Sequence, residues 1–351
     1  MEITVIGAGA IGGVVGAYLK RAGENVIFCD IVKDHVRIIR EEGLAIEGPE
    51  EAFQVQADAY TPDELVKRGK PLETVFLCVK SQHTEEAIRQ ILPLIGESSF
   101  VVSLQNGLCE NIISSIIGRD RTVGCFVNFS ADYMEPGRIL YGGVSSLYLG
   151  ELDGTVTDRL KDLQTRLSNW GPVKVTDNIW GYLWGKLSYA ALLFATALVD
   201  ETMAGVVRNM DLRETLLELT SEVLEVADRI NVTPEGFDDW EPSLVYPRET
   251  RNDQIITEQL EKLADRMANN KKNKSGIWRD LAVRKRKTEI DFQIVPVIEI
   301  GREIGLPLPL THELVKMIKE IEDGVRLMSW DNLSELKEVF EQSKLSNKTR
   351  G

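Results

Sequence analysis

The 351-residue sequence has few of the residues that build metal sites and disulfide frameworks. It contains 4 cysteines and 3 histidines, and no two cysteines form a CxxC pair. The histidines are scattered and distant in sequence from the cysteines, so we expect no zinc site and no other metal site. Cys29 and Cys78 lie in apolar, strand-like runs, which is typical of reduced packing residues in a cytoplasmic protein.

Basic residues and long apolar runs are also scarce. Lysine and arginine together number 41 against 55 acidic residues, and the net charge of −14 argues against a nucleic-acid-binding surface. The longest apolar stretch, Leu187 to Val199, is too short to span a bilayer and includes Ser188 and Thr196. The apolar N-terminus lacks the cationic start of a signal peptide. We therefore expect neither a nucleic-acid partner nor a membrane segment.

What the sequence does contain begins with a glycine-rich segment near the N-terminus. Gly7-Ala8-Gly9-Ala10-Ile11-Gly12 has the spacing GxGxxG. A short apolar run, Ile3–Ile6, precedes it and predicts a strand, and a helical segment follows it. A second predicted strand, Val26–Cys29, ends at Asp30, which lies 18 residues beyond Gly12. This order of strand, glycine loop, helix, strand and acid predicts a dinucleotide-binding site, whereas spacing alone would fit a glycine-rich turn in an unrelated α/β domain.

Each residue type in this segment suits a dinucleotide. Gly7 permits a tight turn, Gly9 lets a pyrophosphate approach the backbone, and Gly12 lets the helix pack closely on the strand. The helix N-terminus presents free N–H groups and the positive end of its dipole to the phosphates. Asp30 would accept hydrogen bonds from the adenosine ribose and repel a 2′-phosphate. NAD(H) is therefore favoured, and NADP(H) is the alternative.

Short apolar runs alternate with polar helical segments through the first half of the chain, which predicts a Rossmann-type, doubly wound α/β sheet. The predicted strands are Ile3–Ile6, Val26–Cys29, Thr74–Val79, Phe100–Leu104 and Thr122–Phe126. Ile139–Tyr141 and Ser146–Leu149, separated by Gly142-Gly143, are interpreted as an antiparallel pair that completes the domain. A helix over Thr155–Asn169 and a strand over Val173–Val175 follow.

The pattern changes after Asp177, where nearly all of the sequence has helical periodicity. We therefore predict a dinucleotide-binding domain over residues 1–176 and an all-α substrate and catalytic domain over residues 177–351. Two predicted strand ends in the first domain carry polar residues: Lys80 follows Val79, and Gln105-Asn106-Gly107 follows Leu104. Ligands of α/β sheets bind at such ends, although Asn-Gly is also a common turn.

These segments together resemble the ketopantoate reductase (2-dehydropantoate 2-reductase) family over nearly the whole chain. The resemblance also includes Trp184-Gly185-Lys186-Leu187 and Arg286-Lys287-Thr288-Glu289-Ile290-Asp291. It implies hydride transfer from a reduced nicotinamide to the carbonyl carbon of a small anionic 2-oxo acid. It further implies that Lys186 is the general acid, that Glu289 lies near this lysine and the cofactor, and that Lys80 and Asn106 line the nicotinamide side of the site.

The sequence departs from the family at the substrate positions. The family's asparagines one and two turns after the lysine correspond to Ala190 and Phe194, and a third corresponds to Ala204. Residues 186, 190 and 194 share one helical face, so we expect Ala190 and Phe194 to contact a substrate that is bulkier or less polar than ketopantoate. Ser275 matches a family serine that binds the substrate carboxylate. The local basic cluster, Arg279 and Arg284 to Lys287, would either steer anions or form an exposed helix face.

Alternative functions remain open at this point. The chain would be a true 2-dehydropantoate 2-reductase of pantothenate synthesis if its substrate contacts are rearranged. It would be an NAD(P)-binding sensor if it binds the cofactor without turnover, although a sensor needs no proton donor at Lys186. A flavoprotein is disfavoured because no second glycine-rich stretch is present. A helical second domain with exposed apolar faces would permit a homodimer.

Overall fold

The computed structural model describes residues 1–269 and 273–348. The chain divides into two compact units, an N-terminal unit over Met1–Ile179 and a C-terminal unit over Trp180–Gly351. Residues 270–272 and 349–351 of the predicted second domain lie outside the described residues.

The N-terminal unit is built on a large twisted sheet with helices on both faces. The strands of this unit are β1 (Glu2–Ile6), β2 (Asn25–Cys29), β3 (Leu44–Glu47), β4 (Ala52–Val55), β5 (Ala59–Tyr60), β6 (Leu72–Leu77), β7 (Ile95–Ser103), β8 (Thr122–Asn128), β9 (Ala131–Glu135), β10 (Arg138–Tyr141), β11 (Ser146–Glu151) and β12 (Val173–Val175). Its helices are α1 (Ala10–Arg21), α2 (Lys33–Glu41), α3 (Pro62–Arg68), α4 (Thr84–Ile91), α5 (Cys109–Ile117) and α6 (Asp158–Leu167).

Eight strands form the large sheet in the order β12-β11-β8-β7-β6-β1-β2-β5. All neighbours are parallel except β8 and β11. Side chains alternate across the sheet, so Ile3 and Val5 of β1 join the core beneath α1 and α6, while Ile6 joins the core beneath α3, α4 and α5. The Rossmann-type, doubly wound sheet predicted from the sequence is confirmed.

A second sheet of four strands, ordered β4-β3-β10-β9 and called the small sheet below, was not predicted. The prediction that Ile139–Tyr141 pairs with Ser146–Leu149 is wrong. Strand β10 instead pairs with β3 in parallel and with β9 in antiparallel orientation, while β11 pairs with β8. The physical reason is burial: Ile139 of β10 packs with Leu44 and Ile46 of β3 in the core that also contains α1.

The described part of the C-terminal unit is helical, as predicted. Its helices are α7 (Ile179–Thr196, which begins at the unit boundary), α8 (Met203–Val207), α9 (Arg213–Arg229), α10 (Asp253–Asn269), α11 (Gly276–Ala282), α12 (Ile290–Gln293), α13 (Val295–Glu303), α14 (Pro309–Glu322) and α15 (Trp330–Lys348). Within residues 1–269 and 273–348, none of the helices combines the length and apolar character needed to cross a bilayer.

Candidate active site

The glycine-rich loop connects β1 to α1, as the sequence predicts. Gly7 has φ +90° and stands so close to the segment that follows β6 that a Cβ there would lie 2.8 Å from the backbone nitrogen of Val79. A Cβ at Gly12 would lie 2.8 Å from the Cβ of Cys78, so a side chain would push α1 away from the sheet. These two glycines are therefore required by packing within the unit.

Gly9 differs from these two glycines because a Cβ there would meet nothing within 4 Å. Gly9 is the N-cap of α1, where no side chain caps the helix and no acidic residue lies in the first turn. The 12-residue helix α1 thus directs its positive end into open space next to a backbone that lacks a side chain. These features fit the phosphates of a dinucleotide.

Asp30 follows β2 and is joined to the glycine-rich loop. Its Oδ2 accepts a hydrogen bond from the backbone N–H of Ala8 at 2.9 Å, and its Oδ1 accepts one from the N–H of Val32 at 2.9 Å. Each carboxylate oxygen has a second lone pair, so Asp30 can still accept hydrogen bonds from ribose hydroxyls. The carboxylate is half-buried and held in one orientation beside the loop.

His35 also contacts the glycine-rich loop, a role that was not predicted from the sequence. The side chain is fully buried on α2. Its Nε2 lies 2.8 Å from the carbonyl oxygen of Ala8, and its Nδ1 accepts a hydrogen bond from the N–H of Gly137 at 2.8 Å. Its position five residues after Asp30, in the first turns of the next helix, is the one sequence signal that could have drawn attention to it.

The loops after β6 and β7, which carry Lys80 and Asn106, are joined to each other. The side-chain amide of Gln105 donates to the carbonyl oxygen of Val79 and to the hydroxyl of Thr84, both at 2.8 Å. The Ser81 hydroxyl donates to the carbonyl oxygen of Asn106 at 2.8 Å. Lys80 and Asn106 are both half-buried. The structure therefore places the glycine-rich loop, Asp30 and both strand-end loops along one edge of the large sheet.

Helix α7 carries Lys186, Ala190 and Phe194 in the C-terminal unit. Lys186 is half-buried, and Ala190 is 8% exposed. Phe194 is 0% exposed, because the C-terminal part of α7 is enclosed on nearly all sides in the core. The predicted contact of Phe194 with substrate stays a prediction, and the ring is fully enclosed in this structure. Ala204 lies on α8 and is 5% exposed.

Glu289 precedes α12 and is half-buried. The residues around it are anchored to α14: the backbone N–H and the hydroxyl of Thr288 donate to Glu322 at 2.7 and 2.6 Å, and Asp291 pairs with Lys319 at 2.5 Å. These contacts fix the backbone on both sides of Glu289. The structure places Lys186 on α7 and Glu289 at the start of α12, in the same unit.

Ser275 and the basic cluster have structural partners. The Ser275 hydroxyl is the N-cap of α11 and accepts a hydrogen bond from the N–H of Trp278 at 3.1 Å. It is 5% exposed, although its hydroxyl proton can still be donated. In the basic cluster, Arg284 and Arg286 both donate to the buried carboxylate of Asp280 at 2.9 Å. These two arginines thus have an internal partner, which weakens the anion-steering alternative.

Similarity to known proteins agrees with the architecture. The family model described as "Ketopantoate reductase PanE/ApbA" matches residues 3–154, and the one described as "Ketopantoate reductase PanE/ApbA C terminal" matches residues 178–322. The chain is 24% identical over 328 residues to 2-dehydropantoate 2-reductase of Aquifex aeolicus (strain VF5), a match that covers 92% of this chain and 97% of the relative.

Solved structures show the same fold. A PanE/ApbA family ketopantoate reductase from Ralstonia eutropha JMP134 superposes with a TM-score of 0.76 at 25% identity, over 92% of this chain and 99% of that one. The ternary structure of D-mandelate dehydrogenase with NADH and anilino(oxo)acetate superposes with a TM-score of 0.78 at 22% identity. The match covers 92% of this chain and 99% of that one.

Both halves of the chain match in the expected order, and the glycine-rich loop and α7 lie where the sequence predicts them. The family's enzymes are nicotinamide-dependent oxidoreductases that act on 2-oxo acids. The chain belongs to the ketopantoate reductase family.

Proposed function

We propose that the protein is an NADH-linked reductase that converts a 2-oxo acid to a 2-hydroxy acid and, in the reverse direction, acts as a 2-hydroxy acid dehydrogenase. We assign cofactor binding to residues 1–176 and the substrate and proton-donor functions to residues 177–351. The observation that carries the proposal lies on α7, where half-buried Lys186 is followed one turn later by Ala190. A proton donor is retained, while the neighbouring position offers no hydrogen bond to a polar substrate.

The preference for NADH rests on Asp30. Its carboxylate is held at the glycine-rich loop by the N–H groups of Ala8 and Val32. A negative charge at the ribose position attracts ribose hydroxyls and repels a 2′-phosphate. Two arginines of the following helix α2 have acidic partners, since Arg37 pairs with Glu41 at 3.0 Å and Arg40 pairs with Glu64 at 3.1 Å. These features favour NADH over NADPH.

The chemical step assigns a role to each remaining residue. A reduced nicotinamide, when bound, supplies the hydride that adds to the carbonyl carbon. The Nζ of Lys186 then gives its proton to the carbonyl oxygen, and its positive charge stabilises the alkoxide that develops there. Glu289 is assigned the position beside this lysine, where its negative charge would orient the ammonium group. Lys80 and Asn106 are assigned to orienting the nicotinamide, and the Ser275 hydroxyl is assigned to the substrate carboxylate.

The substrate is proposed to be bulkier or less polar than ketopantoate. Ala190 and Ala204 are alanines at positions where a hydroxyl-binding site would need polar side chains. A similarly folded D-mandelate dehydrogenase has been solved with anilino(oxo)acetate, which carries an aromatic ring next to an oxo-carboxylate. Aromatic and branched 2-oxo acids are therefore the substrate classes to test first.

The second candidate is a true 2-dehydropantoate 2-reductase. It is favoured by the name of the curated relative from Aquifex aeolicus, which matches 92% of this chain. A sensor that binds NAD(P) without turnover is the third candidate, and Lys186 and Glu289 argue against it. Turnover of ketopantoate and of branched and aromatic 2-oxo acids, each with NADH and with NADPH, separates the three candidates.

The test is a matrix of kcat/KM values for NADH and NADPH against ketopantoate, branched 2-oxo acids and aromatic 2-oxo acids. We expect the highest value for NADH with an aromatic or branched acid. Efficient NADPH-dependent reduction of ketopantoate would overturn the proposal in favour of the second candidate. Tight NADH binding without turnover of any acid would favour the sensor.

A further inference from the structure

The peptide units on both sides of Ala8 are held by side chains. The Ala8 N–H donates to Asp30, and the Ala8 carbonyl oxygen lies 2.8 Å from Nε2 of His35. Ala8 lies between the two glycines that shape the loop, Gly7 and Gly9. Because glycine backbones are the least restricted in a protein, the loop depends on such contacts to keep one conformation.

The hydrogen bonds of His35 indicate which ring nitrogen is the donor. Nδ1 accepts from the Gly137 N–H, so Nδ1 carries no proton. The neutral ring then has its proton on Nε2 and donates it to the Ala8 carbonyl oxygen. The ring packs edge-on against Tyr133 with centroids 5.1 Å apart. His35 thereby connects the glycine-rich loop to the turn between β9 and β10 of the small sheet.

We propose that His35 is a positioning residue for the dinucleotide: it fixes the conformation of the glycine-rich loop through Ala8 and thereby sets the affinity for NADH. The inference rests on the proposed function of this loop as the cofactor site. His35 does not touch the reacting atoms, so its replacement affects cofactor binding and leaves the chemical step at saturating NADH unchanged. The small sheet thereby supports the glycine-rich loop, because the turn between β9 and β10 holds His35 in place.

Two variants test the two hydrogen bonds of His35 separately, because each variant keeps one bond and loses the other. In His35→Gln, the side-chain amide nitrogen reaches the place of Nε2 and keeps the donor to Ala8. In His35→Asn, the amide oxygen occupies the place of Nδ1 and keeps the acceptor for Gly137. Both variants lose one buried hydrogen bond and are expected to lose similar thermal stability. His312→Asn, at an exposed histidine on α14, is the control for the substitution itself.

The measurements are amide hydrogen exchange of the peptide covering residues 7–13 and the dissociation constant for NADH. We expect His35→Asn to speed exchange in this peptide and to raise the NADH dissociation constant roughly tenfold, the loss of about one hydrogen bond. His35→Gln should stay within about threefold of the wild type. At saturating NADH, kcat should be the same in the wild type, in both His35 variants and in His312→Asn.

Equal exchange and equal NADH affinity in the Gln and Asn variants would overturn the inference. It would also be overturned if the NADH affinity of each variant fell only in proportion to the drop in its melting temperature. The exchange measurement needs no cofactor. If the variants separate by exchange while the wild type binds neither NADH nor NADPH, His35 still positions the loop and the proposed function is what fails.

Discussion

The carboxylate of Asp30 accepts a hydrogen bond from the backbone N–H of Ala8 at 2.9 Å, across 22 residues of sequence. This bond places a negative charge directly beside the glycine-rich loop. A pair of unit negative charges about 4 Å apart, such as a carboxylate and one charge of a 2′-phosphate, repels by about 1 kcal/mol in bulk water and by about 4 kcal/mol at an effective dielectric constant of about 20. The discrimination against NADPH is therefore expected to come mainly from this one side chain.

Asp30→Asn should lower the ratio of kcat/KM for NADH to that for NADPH roughly ten- to hundredfold, because the charge is removed while one acceptor oxygen remains. Asp63→Asn, at an exposed acid in the first turn of α3, removes the same charge elsewhere in the unit and should leave the ratio unchanged. Steady-state kinetics with both cofactors check the prediction. An unchanged ratio in Asp30→Asn would show that other residues select the cofactor.

Ala190→Asn returns an amide to the position one turn after Lys186. We expect kcat/KM for ketopantoate, relative to an aromatic 2-oxo acid, to rise roughly tenfold, since the new amide can hydrogen-bond the distal hydroxyl. Ala190→Leu adds similar volume without an amide and should lower turnover of both acids. If the Asn and Leu variants change the two acids equally, Ala190 does not determine substrate polarity.

The Glu222 carboxyl of α9 predicts a pH dependence of stability. It is 3% exposed and accepts hydrogen bonds from the N–H groups of Leu310 and Thr311 at the start of α14 and from the Thr311 hydroxyl. Burial raises the pKa of Glu222 to about 7 from a usual 4.5, although hydrogen bonds from Thr311 oppose the shift. The folded protein therefore keeps a proton between about pH 4.5 and 7 that the unfolded chain loses.

Because the pKa of Glu222 is raised in the folded state, the contribution of its protonated carboxyl to the free energy of unfolding is complete below pH 4.5. This contribution is lost as the pH rises through about 7. Relative to Glu222→Gln, the free energy of unfolding of the wild type should fall by on the order of 3 kcal/mol over this range. Urea denaturation of both proteins at several pH values measures the difference, with Glu341→Gln on the exposed face of α15 as the control. If the free energy of unfolding changes with pH in the same way in the wild type and in Glu222→Gln, Glu222 is not the source of the pH dependence.

The large sheet was predictable because its strands are short apolar runs separated by helical segments. The small sheet was not: Leu44–Glu47 and Ala52–Val55 are four-residue strands, and neither is fully buried. Such short runs give too little alternation to separate a strand from a loop. The pair of glycines at 142 and 143 favoured a hairpin, but burial of Ile139 against β3 decided the pairing of β10 instead.

The candidate site was predictable where sequence order fixes position, as for Asp30 at the end of β2. The candidate site was less predictable where burial decides the role of a side chain. Helical spacing puts Phe194 on the face of Lys186, but it does not show that the core encloses the ring. Similarly, a serine before a helix is a common N-cap, and Ser275 has this role in the structure. His35 was missed because its two partners are backbone groups, which sequence patterns do not reveal.

Lys186 is proposed as the proton donor that accompanies hydride transfer from NADH to a 2-oxo acid. The most direct measurement is the single-turnover rate of NADH oxidation by Lys186→Ala with the best acid of the substrate panel. We predict a rate about 10²- to 10⁴-fold below that of the wild type, with the NADH dissociation constant unchanged. Lys262→Ala, at an exposed lysine of α10, should react like the wild type. A wild-type rate in Lys186→Ala would show that this lysine is not the proton donor.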